Sequence, residues 1–582
     1  MDLVTITERP TETERHAVDS IAGPRDEWNG RVVFGGHAAR ARRHLLLPAL
    51  HAVQDATGSV SRGALGYISE RLTVPPAEAY GVATFYALFR TDLPGAATIH
   101  VCDDLVCARY GGEDLYATLE ASGNVVSRSP CLGQCDRAPA VLSHQPGVGY
   151  RVAAPVTPGP TGTLAFDEIP VSLIRQDRGE LTLLRRVGAV DPDSLESYRD
   201  AGGFAALARA RRLGPEGVID ELKRSNLRGR GGAAFPIGLK WEGLRDAVGD
   251  LKYVIANGDE SEPGTFKDRL VMEGDPFAVV EAMILFGTTT GAGHGYIYVR
   301  GEYPIAEQRL RGAVEQTREA ALIPEGFTLE VRRGAGAYIC GEETALFASI
   351  EGHRGEPRQK PPFPTEAGVF GRPTGINNIE TLLAALQVID RGAEAFAAVG
   401  TEQSAGPKLF CVSGAVVSPG VYEVPFGTTL GELLDKAGGI PEGRGLGAVL
   451  MGGAAGVFAG SEALDVPLTF EDTRAAGTTL GSGSFIVFDD ETDFAPVLRR
   501  IAQFFRDESC GQCVPCRVGT VRQEEALARL EAGRPIGDRA TELALLGDLA
   551  RVMTDASICG LGQTAASAIQ SAIARGLPGA PS

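Results

Sequence analysis

Long apolar runs are missing from this sequence. No uncharged apolar stretch approaches the ~20 residues needed to span a bilayer, so we expect no transmembrane helix. The first sixteen residues also lack the apolar core of a secretory signal, which makes the cytoplasm the expected location. Basic residues are outnumbered, with 56 Lys and Arg against 74 Asp and Glu, and the net charge of −18 argues against nucleic acid as a partner.

The chain is long enough for several domains. Its 582 residues exceed what one core can organise, and the usual domain size predicts about four units. Changes in hydrophobic periodicity predict a mobile polar tail over residues 1–30, a helical unit over 31–95, a compact α/β domain over 96–180, a second α/β domain over 181–405, a small β-rich domain over 406–494 and a helical bundle over 495–582. The expected fold class is a multidomain α/β protein.

Cysteines form two constellations that account for eight of the ten in the chain. In a reducing cytoplasm such spacing favours metal ligation over disulfides. Near the C-terminus, Cys510, Cys513 and Cys516 present three thiolates from one loop, and Cys559 is the candidate fourth ligand. Three thiols on one loop favour a [4Fe-4S] cluster over structural zinc, whose ligands usually pair two and two.

The N-terminal constellation does divide two and two, as Cys102 with Cys107 and Cys131 with Cys135. Zinc and a [2Fe-2S] cluster both accept that arrangement, so spacing alone leaves the choice open. The remaining two cysteines, at positions 340 and 411, have no partners at ligand spacing. We predict that both are buried and behave as small apolar side chains.

A glycine-rich segment lies between the two constellations. Residues Gly229 to Ala234 formally satisfy the G-x-G-x-x-G/A pattern of dinucleotide-binding folds. We reject that interpretation because residues 218–226 have helical periodicity, whereas the fingerprint must follow a strand. A loop that cradles a phosphate, with Lys240 nearby, and a purely structural glycine turn both remain open.

Acidic residues are concentrated just after a predicted strand at residues 253–257. The segment 257–264 carries three carboxylates where α/β sheets bind ligands, although a solvated acidic turn has the same composition. Segments 336–343 and 358–363 add two more carboxylates, a lysine and an aromatic residue. Each of these signals is weak by itself.

Taken in order, six segments closely resemble the flavin-bearing NADH dehydrogenase subunit of respiratory complex I and its soluble relatives. They are residues 230–241, 257–268, 337–344, 360–363, 375–380 and 508–516, and the resemblance extends over roughly residues 200–575. Residues 40–150, with the N-terminal cysteines, resemble the thioredoxin-like [2Fe-2S] subunit that usually accompanies it. Here the two are fused. One departure is Ala234, which replaces a common Gly.

The resemblance implies identities for the predicted domains. It implies a thioredoxin-like [2Fe-2S] domain over 96–180, an FMN-binding Rossmann-like α/β domain over 181–405, a ubiquitin-like β-grasp domain of the soluble-ligand-binding type over 406–494, and a helical [4Fe-4S] domain over 495–582. The implied cofactors are FMN, one [4Fe-4S] and one [2Fe-2S] cluster, with NAD(H) as substrate.

The resemblance also implies the site residues. Those expected at FMN are Gly229, Arg230, Gly231, Gly232, Lys240, Asn257, Asp259, Glu260, Tyr338, Gly341, Glu342, Asn377 and Asn378. Those expected at NADH are Phe235, Glu262, Glu343, Lys360 and Phe363. The ligands expected for [2Fe-2S] are Cys102, Cys107, Cys131 and Cys135, and those for [4Fe-4S] are Cys510, Cys513, Cys516 and Cys559. No side chain is expected to be catalytic because the flavin carries hydride transfer, while Glu262 and Glu343 tune the site.

The expected function is electron transfer between NAD(H), FMN and the clusters, as the diaphorase part of a larger complex. The resemblance favours a soluble NAD-dependent formate dehydrogenase with a large molybdenum- or tungsten-binding subunit that carries further clusters. Some hydrogenase fusions lack ligands in the N-terminal module, whereas all four cysteines are present here. The alternatives are a NAD-reducing [NiFe] hydrogenase, a fused complex I subunit and, in another class, a zinc-stabilised scaffold without catalysis. The direction of electron flow and the oligomeric state stay open.

Overall fold

The computed structural model describes residues 8–24, 27–28, 31–32, 42–92, 95, 97–157, 164, 166 and 174–581. Within those ranges, no helix is both long and apolar enough to cross a membrane. The strands form a ribbon of β1 (Glu27–Trp28) and β2 (Arg31–Val32) and three larger sheets, one in each of three domains.

The N-terminal unit is helical. Its helices are α1 (Glu12–Ala22), α2 (Leu46–Thr57), α3 (Arg62–Leu72) and α4 (Pro76–Ala83). The expectation of a mobile tail over residues 1–30 is wrong for α1, which buries Val18 and Ala22 and packs against α2 and α3. A capping box starts this helix: Glu14 N–H donates to Thr11 Oγ1 at 3.2 Å, and Thr11 N–H donates to Glu14 Oε2 at 2.7 Å. Residues 1–7 and most of 25–41 lie outside the described ranges.

The next domain contains a four-stranded mixed sheet. Its elements are β3 (Thr98–Cys102), α5 (Leu105–Arg109), α6 (Gly112–Ala121), β4 (Val126–Ser129), β5 (Val141–Gln145) and β6 (Gly149–Ala153). The sheet order is β4–β3–β5–β6, with β3 and β4 parallel and the other pairs antiparallel. Cys102 ends β3 and Cys107 lies in α5, so the first cysteine pair brackets a strand-to-helix loop.

The second α/β domain is built on a parallel sheet. Its elements are α7 (Leu195–Asp200), α8 (Ala205–Arg224), α9 (Ile237–Asp246), β7 (Tyr253–Gly258), α10 (Lys267–Gly274), α11 (Pro276–Thr290), β8 (His294–Val299), α12 (Pro304–Glu319), β9 (Thr328–Arg333), α13 (Glu343–Ile350), α14 (Pro364–Ala367), β10 (Thr374–Asn378), α15 (Ile379–Arg391) and α16 (Ala393–Ala397). The strand order is β10–β7–β8–β9. Because α8 precedes Gly229, the glycine segment follows a helix, as predicted.

The β-rich domain has a core of its own. Its elements are β11 (Pro407–Gly414), β12 (Gly420–Pro425), α17 (Leu430–Lys436), β13 (Leu446–Met451), β14 (Val457–Ala459), α18 (Phe470–Ala475) and β15 (Ser484–Asp489). The sheet order is β12–β11–β15–β13–β14, which places the first and last strands parallel and adjacent.

Helices complete the chain. They are α19 (Phe494–Asp507), α20 (Val514–Glu531), α21 (Arg539–Ala556), α22 (Gly560–Thr564) and α23 (Ser567–Arg575). Helix α19 buries Leu498, Ile501 and Phe505 at helical spacing, and it packs on α20. Cys513 immediately precedes α20 and Cys559 immediately precedes α22, so packing of these helices controls how the four cysteines meet.

Candidate active site

A cavity of about 540 Å³ lies where three domains meet. Its walls come from the glycine segment, the ends of β7 and β10, the turn of 3₁₀ helix Tyr338–Gly341, loops of the β-rich domain and the start of α22. This volume suits a cofactor-sized ligand.

Two parallel strands bring amide side chains to the cavity. Asn257 on β7 and Asn378 on β10 are paired in register, and both line the cavity. Asn257 Nδ2 donates to the Gly341 carbonyl at 2.9 Å, and Asn257 Oδ1 accepts from the Asp259 N–H at 3.1 Å. The carboxyl ends of parallel strands are where such sheets bind ligands.

The three carboxylates after β7 belong to the cavity wall, so the interpretation as a solvated acidic turn is wrong. Burial raises the pKa of Asp259 to about 7 and the pKa of Glu262 to about 7. Burial and the neighbouring Asp268 raise the pKa of Glu260 to about 8. Asp259 Oδ2 is buried without a hydrogen-bond partner, so the wall offers an acceptor that a ligand can satisfy.

The glycine segment keeps one wall of the cavity open. A Cβ on Gly231 would lie 3.1 Å from Asn378 Cβ, and Gly232 has φ +114°, a conformation that side chains disfavour. Backbone amides can therefore approach a phosphate closely here. The backbone amides of the glycine segment, the unpaired Asp259 acceptor and the side chains of Asn257 and Asn378 together provide hydrogen-bonding groups that fit FMN.

A chain of buried ion pairs stabilises this wall. Asn378 Nδ2 donates to Asp268 at 2.6 Å, and Lys267 Nζ lies 2.9 Å from Asp268 and 3.0 Å from Glu380. Lys408 on β11 lies 3.3 Å from Glu380. Its Nζ donates at 2.9 Å to the carbonyl of residue 482, which lines the cavity from the β-rich domain. The network thus fixes two walls relative to each other, and breaking a buried pair of this kind typically costs about 3–5 kcal/mol.

Two residues expected at FMN, Gly229 and Arg230, stabilise the glycine segment but do not line the cavity. Gly229 N–H donates to the Phe235 carbonyl at 2.9 Å and closes the loop. The Arg230 side chain is 1% exposed and lies outside the cavity lining. Its guanidinium lies 4.4 Å from the ring centroid of Phe426 and donates to the Ala405 carbonyl at 2.8 Å. Arg230 therefore joins the loop to the β-rich domain.

Lys240 and Asn377 also lie outside the cavity lining. Lys240 Nζ donates to the Ile376 carbonyl at 2.7 Å, and burial lowers the pKa of Lys240. Asn377 Oδ1 accepts from the indole N–H of Trp241 at 2.9 Å. Both residues hold β10 against α9.

Two charged residues expected at NADH, Glu343 and Lys360, lie beside the cavity, whereas the third, Glu262, is part of its wall. Lys360 Nζ is 3.1 Å from Glu342 Oε1 and 2.5 Å from Glu343 Oε1, and Glu342 itself lines the cavity. Phe235 is 52% exposed and Phe363 is 55% exposed. Exposed aromatic faces of this kind are available for stacking on a base.

Tyr338 connects the cavity to the other domains. Its hydroxyl donates to Glu262 Oε2 at 2.6 Å, and Glu262 Oε1 accepts from the Ala455 N–H of the β-rich domain at 2.9 Å. The Tyr338 N–H donates at 2.8 Å to Glu508, which precedes the cysteine loop, and its ring lies 5.0 Å from that of Phe504.

The four C-terminal cysteines line one small cavity. Burial raises the pKa of Cys516 to about 12 and the pKa of Cys559 to about 11, so the thiols are not free thiolates without a metal. Ile339 and Leu561 line both this cavity and the larger one. Only these two apolar side chains, among the described residues, belong to both walls, so the two cofactor sites are separated by a thin apolar partition.

The four N-terminal cysteines are buried together. The Sγ atoms of Cys131 and Cys135 are 3.4 Å apart. Hydrogen bonds from Cys102 and Cys135 lower the pKa of Cys131 well below its usual value, so Cys131 contacts a cysteine of each pair. In the part of the chain that the structure covers, no three acidic, histidine or cysteine side chains are arranged to hold a single metal ion. Four buried thiols, two on each side of the Cys102 to Cys131 contact, fit the all-cysteine ligand set of a [2Fe-2S] cluster.

Cys340 and Cys411 are buried outside both constellations, as predicted. Cys411 Sγ accepts from the Phe266 N–H at 3.2 Å.

Sequence reasoning missed the contributions of the β-rich and C-terminal domains to the cavity. They are Gly452, Ala455, Thr479, Gly481, Ser482, Gly560, Leu561 and Thr564. The glycine pairs at 452–453 and 481–483 were a possible signal, since all four have positive φ. Nothing local links these glycines to cavity residues that lie between 74 and 221 positions before Gly452.

Four family descriptions match the chain. "Nuo51 FMN-binding domain" matches residues 222–387, and "NADH-ubiquinone oxidoreductase-F iron-sulfur binding region" matches 496–575. "Thioredoxin-like [2Fe-2S] ferredoxin" matches 36–152, and "SLBB domain" matches 409–452. The chain therefore contains an FMN-binding domain and binding regions for a [4Fe-4S] and a [2Fe-2S] cluster.

Some relatives match about two thirds of this chain, and others match nine tenths of it or more. The NADH-quinone oxidoreductase F 2 subunit of Rhizobium meliloti (strain 1021) is 42% identical over 405 residues, covering 68% of this chain and 95% of the relative. NAD-reducing hydrogenase HoxS subunit alpha of Cupriavidus necator is 33% identical over 554 residues, covering 90% of this chain and 89% of the relative. The air-oxidised crystal structure of a NAD+-reducing [NiFe]-hydrogenase matches with TM-score 0.79 and 31% identity, covering 93% of both chains.

Proposed function

Because this chain belongs to the family of FMN-binding NADH dehydrogenase subunits, we propose that it transfers electrons between NAD(H) and iron-sulfur clusters as a diaphorase subunit. Bound FMN supplies the exchange between a two-electron hydride step and one-electron transfer to clusters. The side chains around the cavity bind and orient the reactants.

The observation that carries this proposal is the thin partition between the two cofactor cavities. Ile339 and Leu561 are shared by the flavin cavity and the cavity of the C-terminal cysteines. An apolar partition excludes water between the two sites while keeping them close. This supports the C-terminal [4Fe-4S] cluster as the direct electron partner of the flavin, with the N-terminal [2Fe-2S] as a side store or second outlet.

We assign distinct roles to the two glutamates near the nucleotide. Glu262 is held by Tyr338 and by the Ala455 N–H, so it can orient a nicotinamide at the cavity. To Glu343, which pairs with Lys360, we assign the roles of accepting a hydrogen bond from a ribose 2′-hydroxyl and repelling a 2′-phosphate, which would favour NAD over NADP.

We also propose that the domain of residues 406–494 is a ubiquitin-like β-grasp domain. Its strand order, with the first and last strands parallel at the centre and α17 between β12 and β13, supports that assignment. In this chain the domain closes the cavity through the loops at 452–455 and 479–482.

We propose two host complexes. One is a soluble NAD-dependent formate dehydrogenase with a molybdenum- or tungsten-binding subunit, and the complete, converged N-terminal cysteine set supports it. The other is a NAD-reducing [NiFe] hydrogenase, which the likeness over 554 residues favours. The chain should co-purify with its catalytic subunit, and formate-dependent or hydrogen-dependent reduction of NAD by that complex separates the two hosts.

The diaphorase proposal is tested on the purified full chain. We expect one FMN and about six irons per chain, from one [4Fe-4S] and one [2Fe-2S] cluster, and no zinc. The chain should reduce artificial acceptors with NADH and be inert to formate and hydrogen without its partner. Stoichiometric zinc with little iron would instead support the non-catalytic scaffold.

A further inference from the structure

Arg300 lies between the flavin cavity and the N-terminal cysteines. It follows β8 directly and is 3% exposed. Its Nη1 donates to the Glu260 carbonyl at 2.6 Å, and its Nη2 donates to the Cys131 carbonyl at 2.8 Å. Glu260 lines the flavin cavity, and Cys131 belongs to the [2Fe-2S] ligand set. One guanidinium therefore contacts the backbone of both cofactor sites.

The surroundings of Arg300 keep both contacts in place. Glu302 Oε1 accepts from Arg300 Nη2 at 2.9 Å, and Glu302 is 5% exposed. The Tyr303 hydroxyl lies 3.3 Å from the Glu260 carbonyl. A Cβ on Gly133 would lie 2.6 Å from Tyr303 Cε1, so the loop between Cys131 and Cys135 packs directly against the segment that follows β8. The two sites cannot move apart without breaking this packing.

The charge of Arg300 is permanent. Burial by itself lowers the pKa of Arg300, but Glu302 and the other acids nearby outweigh burial and hold that pKa well above its usual value. Inside a protein such a charge is poorly screened, so it acts on every group around it.

We propose that Arg300 is a positioning residue through which the N-terminal [2Fe-2S] cluster and the flavin share one electrostatic environment. Reduction adds one electron to the cluster and two to the flavin, and a positive charge beside both favours the reduced form of each. The negative charge of Glu302 has the opposite effect. A change in either residue should therefore shift the midpoint potentials of the cluster and the flavin in the same direction. This inference goes beyond the proposed function, because it concerns the potentials of the two bound cofactors and does not depend on which host complex contains the chain.

The first test replaces the cation by Arg300→Gln in the cofactor-loaded chain. Redox titrations would follow the [2Fe-2S] cluster by EPR and the flavin by visible absorbance. At the wild-type midpoint potential we expect the ratio of reduced to oxidised cluster to fall about tenfold, which is about 59 mV for a one-electron couple. The flavin couple should shift in the same direction.

The second test uses Glu302→Gln, which removes the opposing anion and should raise both potentials. The opposite sign separates an effect of charge from a general loosening of the site, and this variant decides the question alone if Arg300→Gln does not fold. Arg333→Gln is the matched control, because Arg333 is a largely buried arginine, with its side chain 14% exposed, that ends the neighbouring strand β9 and pairs with Asp55.

The proposal is overturned if, with both cofactors bound, either potential stays unchanged in Arg300→Gln, or if Glu302→Gln shifts them downward. A shift of equal size in Arg333→Gln would also overturn it. NADH-dependent reduction of an artificial acceptor in the same samples tests the proposed function separately.

Discussion

Gly133 of the thioredoxin-like domain lies directly against Tyr303 of the flavin domain, and a methyl group at this position should push the two apart. Two costs add in Gly133→Ala. The residue has φ +65°, and the new Cβ would lie 2.6 Å from Tyr303 Cε1 and closer still to the hydroxyl. A left-handed non-glycine residue costs about 1–2 kcal/mol, and overpacking of a tight contact costs about 1–3 kcal/mol, so we expect about 3 kcal/mol of destabilisation in total.

Gly147→Ala is the matched control for that experiment. Gly147 lies in the same domain at φ +76° with no atom within 4 Å of the added Cβ, so it should incur only the backbone cost. The assay is denaturant titration followed by the visible absorbance of the [2Fe-2S] cluster, because a multidomain chain has no single unfolding transition. Tyr303→Phe in the Gly133→Ala background removes the nearest atom and should restore part of the loss. Equal midpoints for the two glycine variants would refute the reasoning.

Four further outcomes are expected. Cys513→Ser should remove the [4Fe-4S] EPR signal while NADH still bleaches the flavin; loss of bleaching with flavin bound would contradict the separate roles. Glu343→Gln should narrow the NADH-to-NADPH ratio of kcat/KM, and an unchanged ratio would place the discrimination elsewhere. Burial raises the pKa of Glu262 from 4.5 to about 7, so flavin-free wild-type protein should lose stability as pH rises through that range. Glu262→Gln does not titrate, and its stability relative to wild type should therefore increase from pH 4.5 to 7. A difference in melting temperature between the two proteins that stays constant with pH would argue against this. Ala234 has φ +52°, so Ala234→Gly should raise the free energy of unfolding by about 1 kcal/mol, measured by denaturant titration, and no gain would mean that the strain is relieved locally.

The local features were predictable because covalent spacing fixes them. Three cysteines within seven residues must lie close together, although Cys516 is in the first turn of α20 and not in the loop that carries Cys510 and Cys513. Cys559 is a candidate ligand from the sequence only because of its residue type. Strand β7 and the helix before Gly229 follow from periodicity, and the boundary near residue 495 coincides with the start of α19 at Phe494. A mobile tail is the wrong expectation for residues 12–22 because the capping box of Thr11 and Glu14 starts a helix in a segment whose polar composition is typical of disorder.

The sequence by itself determined the two cysteine constellations, the order of the domains and the run of carboxylates that follows β7, since each of these depends on neighbours in the chain. The resemblance of its segments to a known family added the cofactors. Only the tertiary structure decided that Arg230 turns away from the cavity, that Leu561 shares a wall with the flavin site, and that Arg300 reaches Cys131. These contacts join residues separated by more than a hundred positions. Their partners are selected by how domains pack, and no local periodicity or spacing records that choice.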